Sequence, residues 1–168
     1  MPLKIVRNDI TKMAVDAIVD PTNHALRGDG GLDGAIHRAA GPQLLAECRT
    51  LNGCETGKAK ITKGYNLKAR YVLHTPGPVW HGGTHGEPEK LAGCYRSCLE
   101  LASQYGCRTV DFPSISTGVY GYPVDKAAAV ALSTIAAYLD GHPEIERVRM
   151  VCFDARTRGA YEAALAAL

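Results

Sequence analysis

The stretch Gly28-Asp29-Gly30-Gly31-Leu32-Asp33-Gly34-Ala35-Ile36-His37-Arg38-Ala39-Ala40 joins a glycine-rich loop to a helical run without interruption. Glycines let a backbone approach a ligand because no Cβ stands in the way. A helix N-terminus presents unpaired N–H groups and a partial positive charge, which suit phosphate. A second stretch, Ser114-Ile115-Ser116-Thr117-Gly118-Val119-Tyr120-Gly121, has the same construction. Each loop could be an ordinary tight turn, but two together favour a pyrophosphate held between them.

Short β-branched runs alternate with longer alanine-rich runs on both sides of these loops. The sequence predicts strands near Lys4–Arg7, Ala17–Val19, Ala59–Gly64, Tyr71–Thr75, Thr109–Phe112 and Arg147–Phe153. It predicts helices over Leu32–Ala40, Pro42–Arg49, Glu87–Tyr105, Val124–Leu139 and Thr157–Ala167. This alternation indicates an α/β sheet with helices on both faces. In such sheets, ligands gather at the carboxyl ends of the strands, where both glycine loops lie.

Length and composition indicate one globular domain over residues 1–168, with 46% hydrophobic and 21% charged residues. A net charge of +2 without any Lys/Arg run argues against a nucleic-acid-binding surface. No segment has the character of a signal peptide or a membrane span, so a cytoplasmic protein is expected.

The six cysteines form no CxxC pair. Free buried thiols are the simplest interpretation, although Cys94 and Cys98 share a helix face and could hold a metal.

Polar side chains beside the first loop are candidates for chemistry. Asp33 and His37 are four residues apart on one helix face, and Asn23 lies in the preceding loop. A carboxylate beside an imidazole can act as a general base for water or orient one. From spacing alone, complementing the helix dipole and pairing with each other are simpler roles for the two residues.

Other strand ends carry residues with two interpretations each. Asp9 could cap a short helix or accept a hydrogen bond from a base amino group. Phe153 could stack on a base or belong to the core. Tyr120 and Tyr122 could cover a sugar. His74, within an apolar strand, is expected to be a satisfied core histidine.

Two familiar nucleotide motifs are not fulfilled. Asp33 occupies the position at which GxGxxG needs its last glycine, and the stretch Gly53–Ala59 is too short for a P-loop and lacks its Ser/Thr. The pattern instead resembles the macro domain family, in its MacroD-type branch, which has NAAN, a short stretch and then GGGVDGAIHRAAG. Here Asp20-Pro21-Thr22-Asn23 precedes Gly28–Gly41. Residues 54–62 resemble the family's CPTGEAKIT, and residues 112–123 match its second ligand loop.

The resemblance implies a three-layer α/β/α sandwich around a mixed, mostly parallel sheet, with an ADP-ribose cleft at the strand ends. It implies that Asp33 activates or orients water, that Asn23 binds the distal ribose, and that His37 supports this side of the site. The ligand-binding residues that it implies, from adenine through the phosphates to the distal ribose, are Asp9, Ile10, Phe153, Gly30, Gly31, Leu32, Ser116, Thr117, Gly118, Val119, Tyr120 and Asn23.

The activity implied is hydrolysis of ester-linked ADP-ribose on Asp or Glu of mono-ADP-ribosylated proteins, and deacetylation of O-acetyl-ADP-ribose. No metal or cofactor is expected, nor a membrane or nucleic-acid partner, and the chain is expected to be a monomer. The alternative is a module that binds ADP-ribose without turnover. Two departures keep it open: Asp20 replaces the first Asn of NAAN, and Asp29 stands where the family has glycine.

Overall fold

Residues 2–168, which the computed structural model describes, form six strands, five α-helices and a short 3₁₀ helix. The strands are β1 (Leu3–Arg7), β2 (Ala17–Thr22), β3 (Lys60–Lys63), β4 (Tyr71–Pro76), β5 (Thr109–Phe112) and β6 (Arg147–Cys152). The helices are α1 (Gly31–Ala40), α2 (Pro42–Arg49), α3 (Glu87–Gln104), α4 (Val124–Asp140) and α5 (Ala155–Ala166), with the 3₁₀ turn at Ile10–Lys12.

The six strands lie in one sheet in the order β1-β6-β5-β2-β4-β3. Only the edge strand β3 runs antiparallel to its neighbour, while the other described pairs are parallel. Parallel neighbours need crossover connections, which the helices supply. The predicted mixed, mostly parallel sheet is therefore confirmed.

The helices cover both faces of this sheet and bury two hydrophobic clusters. Helices α3, α4 and α5 pack on one face around residues such as Leu99, Leu132 and Tyr161. Helices α1 and α2 pack on the other face through Ile36 and Leu44. Successive residues of each strand point to opposite faces, so neighbouring strand residues enter different clusters. The result is the predicted three-layer sandwich.

Strand β2 continues through Pro21 to Thr22, three residues beyond the predicted end at Val19. The reason lies in its neighbours. It pairs with β4 along its whole length but with β5 only at Ala17 and Ile18. Beyond Ile18 its other side is a local edge, where a proline without an N–H is tolerated. The strand therefore carries Asp20 into the sheet instead of leaving it in a loop.

The last strand ends one residue earlier than predicted, at Cys152, so Phe153 lies outside it. Asp154 then caps α5, since its Oδ1 accepts a hydrogen bond of 2.8 Å from the backbone N–H of Thr157.

All six cysteines are buried and free, as expected. Within residues 2–168, no helix combines the length and the apolar character that crossing a bilayer requires.

Candidate functional site

The carboxyl ends of five parallel strands meet at one edge of the sheet, in the order β1, β6, β5, β2 and β4. Asp9 follows β1, Phe153 follows β6, the second glycine loop follows β5, and Asn23 follows β2. The predicted site residues therefore lie in a row along this edge. A depression of about 460 Å³ along residues 63–71 lies at the opposite edge, where β4 begins, and shares none of these residues.

The first loop leads directly into the N-terminus of α1. Gly30 and Gly31 have φ angles of 114° and 55°, and no side chain caps the first turn. Its backbone N–H groups are therefore available to an anion. Gly28 has a φ of 73°, and a Cβ there would stand 2.6 Å from Cγ of His37. The loop thus packs directly against the imidazole, which only glycine permits at this position.

The second loop is closed by its own backbone. The carbonyl of Ser116 accepts a hydrogen bond of 2.9 Å from the N–H of Tyr122, and Gly121 donates one of 3.0 Å to Gly118. Ser116 has a positive φ of 67°, and its buried Oγ has no hydrogen-bond partner. Val119 is fully exposed at the tip. Polar groups of this loop and the side chain of Val119 are therefore free to contact a ligand.

Asp20, Asp33, His37 and His74 form a buried cluster of two carboxyl groups and two imidazoles beneath the first loop. Nε2 of His37 lies 3.5 Å from Oδ1 of Asp33 and 3.8 Å from Oδ2 of Asp20. Nδ1 of His74 lies 3.2 Å from the same Asp20 oxygen. None of these atoms forms a hydrogen bond of good geometry. Asp33 is held in place by its other oxygen, which accepts a hydrogen bond of 2.9 Å from Thr22 Oγ1.

Burial and mutual repulsion change how this cluster ionises. Burial raises the pKa of Asp20 to about 7. Burial and the neighbouring Asp20 carboxyl group also raise the pKa of Asp33. Burial lowers the pKa of His37 and lowers that of His74 to about 4. Burial therefore favours the protonated forms of both carboxyl groups, and the nearby Asp20 strengthens this effect at Asp33.

The same side chains are also the described residues that could hold a cation. The donor atoms of Asp20, Asp33 and His37 all lie within 4.8 Å of one another, as do those of His37, Cys48 and His74. Neutral imidazoles can ligate a metal ion, whereas thiols and carboxyl groups must first lose a proton. Burial raises the pKa of Cys48 to about 12, so this thiol is a poor ligand at neutral pH. Burial also raises the pKa values of Asp20 and Asp33, which weakens both carboxyl groups as ligands in the same way.

His74 occupies the core, as expected, but the prediction that it is fully satisfied is wrong. Its Nε2 lies 2.8 Å from Thr62 Oγ1, whereas its Nδ1 has no hydrogen-bond partner and faces Asp20. The two residues are direct partners in the register of β2 and β4. Sequence reasoning missed this pair. The available signal was the presence of one ionisable residue within each of two apolar strands.

Asn23 and Asp29 contact each other at the mouth of the first loop. Nδ2 of Asn23 donates to Oδ2 of Asp29 at 3.2 Å, and its Oδ1 accepts from the N–H of Ala25 at 3.1 Å. Asp29 is exposed, and its own φ angle is not positive. Its carboxylate therefore orients the Asn23 amide without straining the backbone.

The structure also shows which local contacts Asp9, Phe153 and the tyrosines of the second loop make. Asp9 caps the 3₁₀ helix through a 3.0 Å hydrogen bond from the N–H of Thr11, and Ile10 is buried. Phe153 is 78% exposed and so does not belong to the core. Tyr122 is buried against Trp80, with ring centroids 4.6 Å apart, which leaves the half-buried Tyr120 as the aromatic available to a ligand.

A cavity of about 280 Å³ adjoins Asn23 and Tyr120 at the end of the row nearest β4. Its further walls come from the segment Pro76–Val79 after β4 and from the loop before α3, including His81 and His85. The site therefore continues beyond the two glycine loops.

Comparison with known proteins identifies the family. The sequence model of the Macro domain family matches residues 19–131. The chain is 59% identical to the macro domain-containing protein CT2219 of Chlorobaculum tepidum over 96% of this chain and 94% of that protein. It is 48% identical to an O-acetyl-ADP-ribose deacetylase of Enterobacter cloacae, over 95% and 91% of the two chains.

Among solved structures, the Trypanosoma brucei macrodomain in complex with ADP-ribose superimposes with a TM-score of 0.92. It is 44% identical, and the match covers 98% of this chain and 69% of that one. The fold, the order of the loops and these similarities agree. This chain belongs to the macro domain family.

Proposed function

We propose that this protein binds ADP-ribose along the carboxyl edge of its sheet and hydrolyses esters of the distal ribose. The substrates are proteins mono-ADP-ribosylated on Asp or Glu, together with O-acetyl-ADP-ribose. A Trypanosoma brucei relative is known in complex with ADP-ribose, and an Enterobacter cloacae relative is named for O-acetyl-ADP-ribose deacetylation, which supports this proposal.

The order of side chains along the edge corresponds to the order of groups in the ligand. The exposed Phe153 ring offers a stacking surface for adenine, beside Asp9 and Ile10. The free N–H groups of Gly31 and Leu32 and the loop from Ser116 to Tyr120, with Thr117, Gly118 and Val119, suit the two phosphates. Asn23 and Tyr120 then meet the distal ribose, which places its ester toward the adjoining cavity.

The observation that carries the hydrolase proposal is the state of the Asp33 carboxyl group. One oxygen is fixed by Thr22, and the other is buried without a hydrogen-bond partner next to His37. A fixed carboxylate with one free oxygen can accept a proton from water or orient the water toward an ester carbon. His37 packs against Gly28, so the loop that would hold the phosphates also positions the imidazole.

The direct test is the variant Asp33→Ala assayed on O-acetyl-ADP-ribose at saturating concentration. Loss of a general base or of its orienting group lowers the turnover number by about 100-fold or more. ADP-ribose affinity, measured by calorimetry, should change far less. Asp140→Ala, at the exposed end of α4, is the matched control and should behave as wild type. If the turnover number of wild type is no higher than that of Asp33→Ala, the proposed hydrolase activity is refuted.

A module that binds ADP-ribose without turnover is the second candidate. Two features favour it: burial and the neighbouring Asp20 raise the pKa of Asp33, and Asp29 accepts a hydrogen bond from the Asn23 amide. This candidate predicts tight ADP-ribose binding by calorimetry, with no release of acetate or of ADP-ribose from any ester substrate.

A further inference from the structure

The loop of residues 80–86 carries two exposed histidines that the proposed reaction does not use. A single buried carboxylate, Glu87, shapes this loop by accepting backbone hydrogen bonds from His81 at 2.8 Å, Gly83 at 3.0 Å and His85 at 2.7 Å. Such convergence on one charged group fixes a loop that has no regular secondary structure. The histidine side chains are therefore presented from a preformed backbone.

The same loop is attached to the second glycine loop. The N–H of Trp80 donates to the carbonyl of Tyr120 at 2.9 Å, and the Trp80 ring packs on Tyr122. A Cβ on Gly83 would stand 2.8 Å from the indole, so the tip of the loop lies close against Trp80. The loop therefore has a fixed position relative to the end of the cleft that holds the distal ribose.

Between these loops lies the cavity that adjoins Asn23 and Tyr120, which we call the distal cavity. Its volume of about 280 Å³ has room for about nine water molecules at ~30 Å³ each. An acetyl group has only three heavy atoms and would leave most of this space unfilled. The volume suits a longer group attached to the same ester position, such as a segment of a polypeptide.

The charges around the distal cavity indicate which segment it would accept. Glu87 is the carboxylate in its lining, and three backbone N–H groups already occupy the Glu87 oxygens. His24 is engaged at both ring nitrogens, by Cys54 O at 3.0 Å and Thr56 Oγ1 at 3.1 Å. The side chains of His81, His85 and Lys90 line the cavity and are exposed. Among the ionisable groups of the lining, those left for a ligand are therefore two imidazoles and one cation.

We propose that the distal cavity binds the acidic peptide segment that carries the ester-linked ADP-ribose, with Lys90, His81 and His85 contacting carboxylates that flank the modified residue. This inference rests on the proposed function, because that function places the ester at the cavity. It makes the protein selective among modified proteins, whereas O-acetyl-ADP-ribose carries no flanking carboxylates for these side chains to contact.

The test compares three substrates: O-acetyl-ADP-ribose and two peptides of equal length, each with ADP-ribose esterified to a central Glu. One peptide has Glu on both sides of the modified residue, and the other has Gln. Wild type should show a kcat/KM about threefold or more higher for the acidic peptide at low ionic strength, and added salt should reduce this preference. The double variant His85→Glu/Lys90→Glu should abolish or reverse the preference between the peptides, and it should lower kcat/KM for the acidic peptide more than kcat/KM for O-acetyl-ADP-ribose.

Lys68→Glu is the matched control, since Lys68 is exposed and lies at the opposite edge of the sheet. Equal kcat/KM for the two peptides in wild type, or a double variant that keeps the wild-type preference, would overturn the inference. If wild type hydrolyses no ester at all, the proposed function fails, but calorimetric affinities for the two intact peptides still decide whether the cavity prefers acidic segments.

Discussion

Asp20 places a carboxyl group in the interior of the protein, fully buried and opposite His74 in the sheet. The asparagine that the family pattern has at this position would offer an amide, which donates and accepts without charge. An aspartate can donate only when it is protonated. The substitution therefore places an ionisable group where the family pattern has a neutral amide, and this group helps to raise the pKa of the candidate catalytic Asp33.

The variant Asp20→Asn should shift the pH profile of ester hydrolysis to lower pH. In wild type, activity should rise with an apparent pKa near 7, because the Asp33 carboxyl must lose a proton that Asp20 helps to retain. Removing the neighbouring carboxyl removes the repulsion that raises the pKa of Asp33. The measurement is kcat/KM for O-acetyl-ADP-ribose between pH 5 and 9.

Two controls make the shift interpretable. Asp140→Asn, far from the cluster at the end of α4, should leave the midpoint unchanged. A chelator in every assay removes any cation that could occupy the cluster in place of a proton. An identical midpoint in wild type and Asp20→Asn would show that the two carboxyl groups are not coupled.

At the scale of elements, most of the strands and helices could be predicted from the sequence, and their contacts across the sheet could not. Hydrophobic periodicity and glycine loops are local signals, and they located α1, α2, β5 and the start of α4 within a residue. The extension of β2 through Pro21 depends on β5 leaving that side unpaired, which is a long-range property. The Asp20–His74 pair depends on β2 lying beside β4, and no local pattern contains that information.

The residues of the candidate site, too, could be predicted from the sequence only in part. Asn23, Asp33 and His37 lie close in the sequence, so the spacing of the motif alone predicts that they belong to one site. The exposure of Phe153 and the burial of Tyr122 depend on where a strand ends and what packs on it. The distal cavity depends on a loop whose shape comes from Glu87, and glycine and histidine content alone did not reveal it.

The loop of residues 80–86 should loosen in the variant Glu87→Gln. Partial burial acts to raise the pKa of Glu87, but the backbone N–H groups of Gly83, His81 and His85 outweigh it and hold the pKa at about 2. The neutral amide of glutamine accepts weaker hydrogen bonds than a carboxylate does. Its own N–H group would also face the backbone N–H groups of the loop. Amide hydrogen exchange at residues 81–85 should be about tenfold faster or more. Unchanged exchange there would mean that other contacts shape the loop.

At the scale of the whole molecule, both hydrophobic clusters share one sheet, and a disturbance within that sheet affects global stability. The cost of burying Asp20 depends on pH because its pKa is about 7 in the folded protein and 3.8 ordinarily. Between these values the unfolded chain releases this proton and the folded chain keeps it. The contribution of Asp20 to stability therefore falls as pH rises from about 4 to about 7.

Asp20→Asn should remove this penalty and stabilise the protein more at high pH than at low pH. At ~1.4 kcal/mol per pKa unit, the gain should approach ~4 kcal/mol at pH 8 and ~2 kcal/mol at pH 5. The measurement is urea unfolding of both proteins at the two pH values. Because the lowered pKa of His74 destabilises the protein in acid, the variant and wild type are compared at the same pH. A gain that does not increase between pH 5 and pH 8 would contradict this account.

The burial of all six thiols has a consequence for the lifetime of the protein under oxidising conditions. Oxidation needs an accessible thiolate, and burial raises the pKa of each of these cysteines. Peroxide therefore meets no exposed thiol on the surface formed by residues 2–168. Oxidation of these thiols must wait until the chain opens, so a ligand that stabilises the folded state should also slow their oxidation.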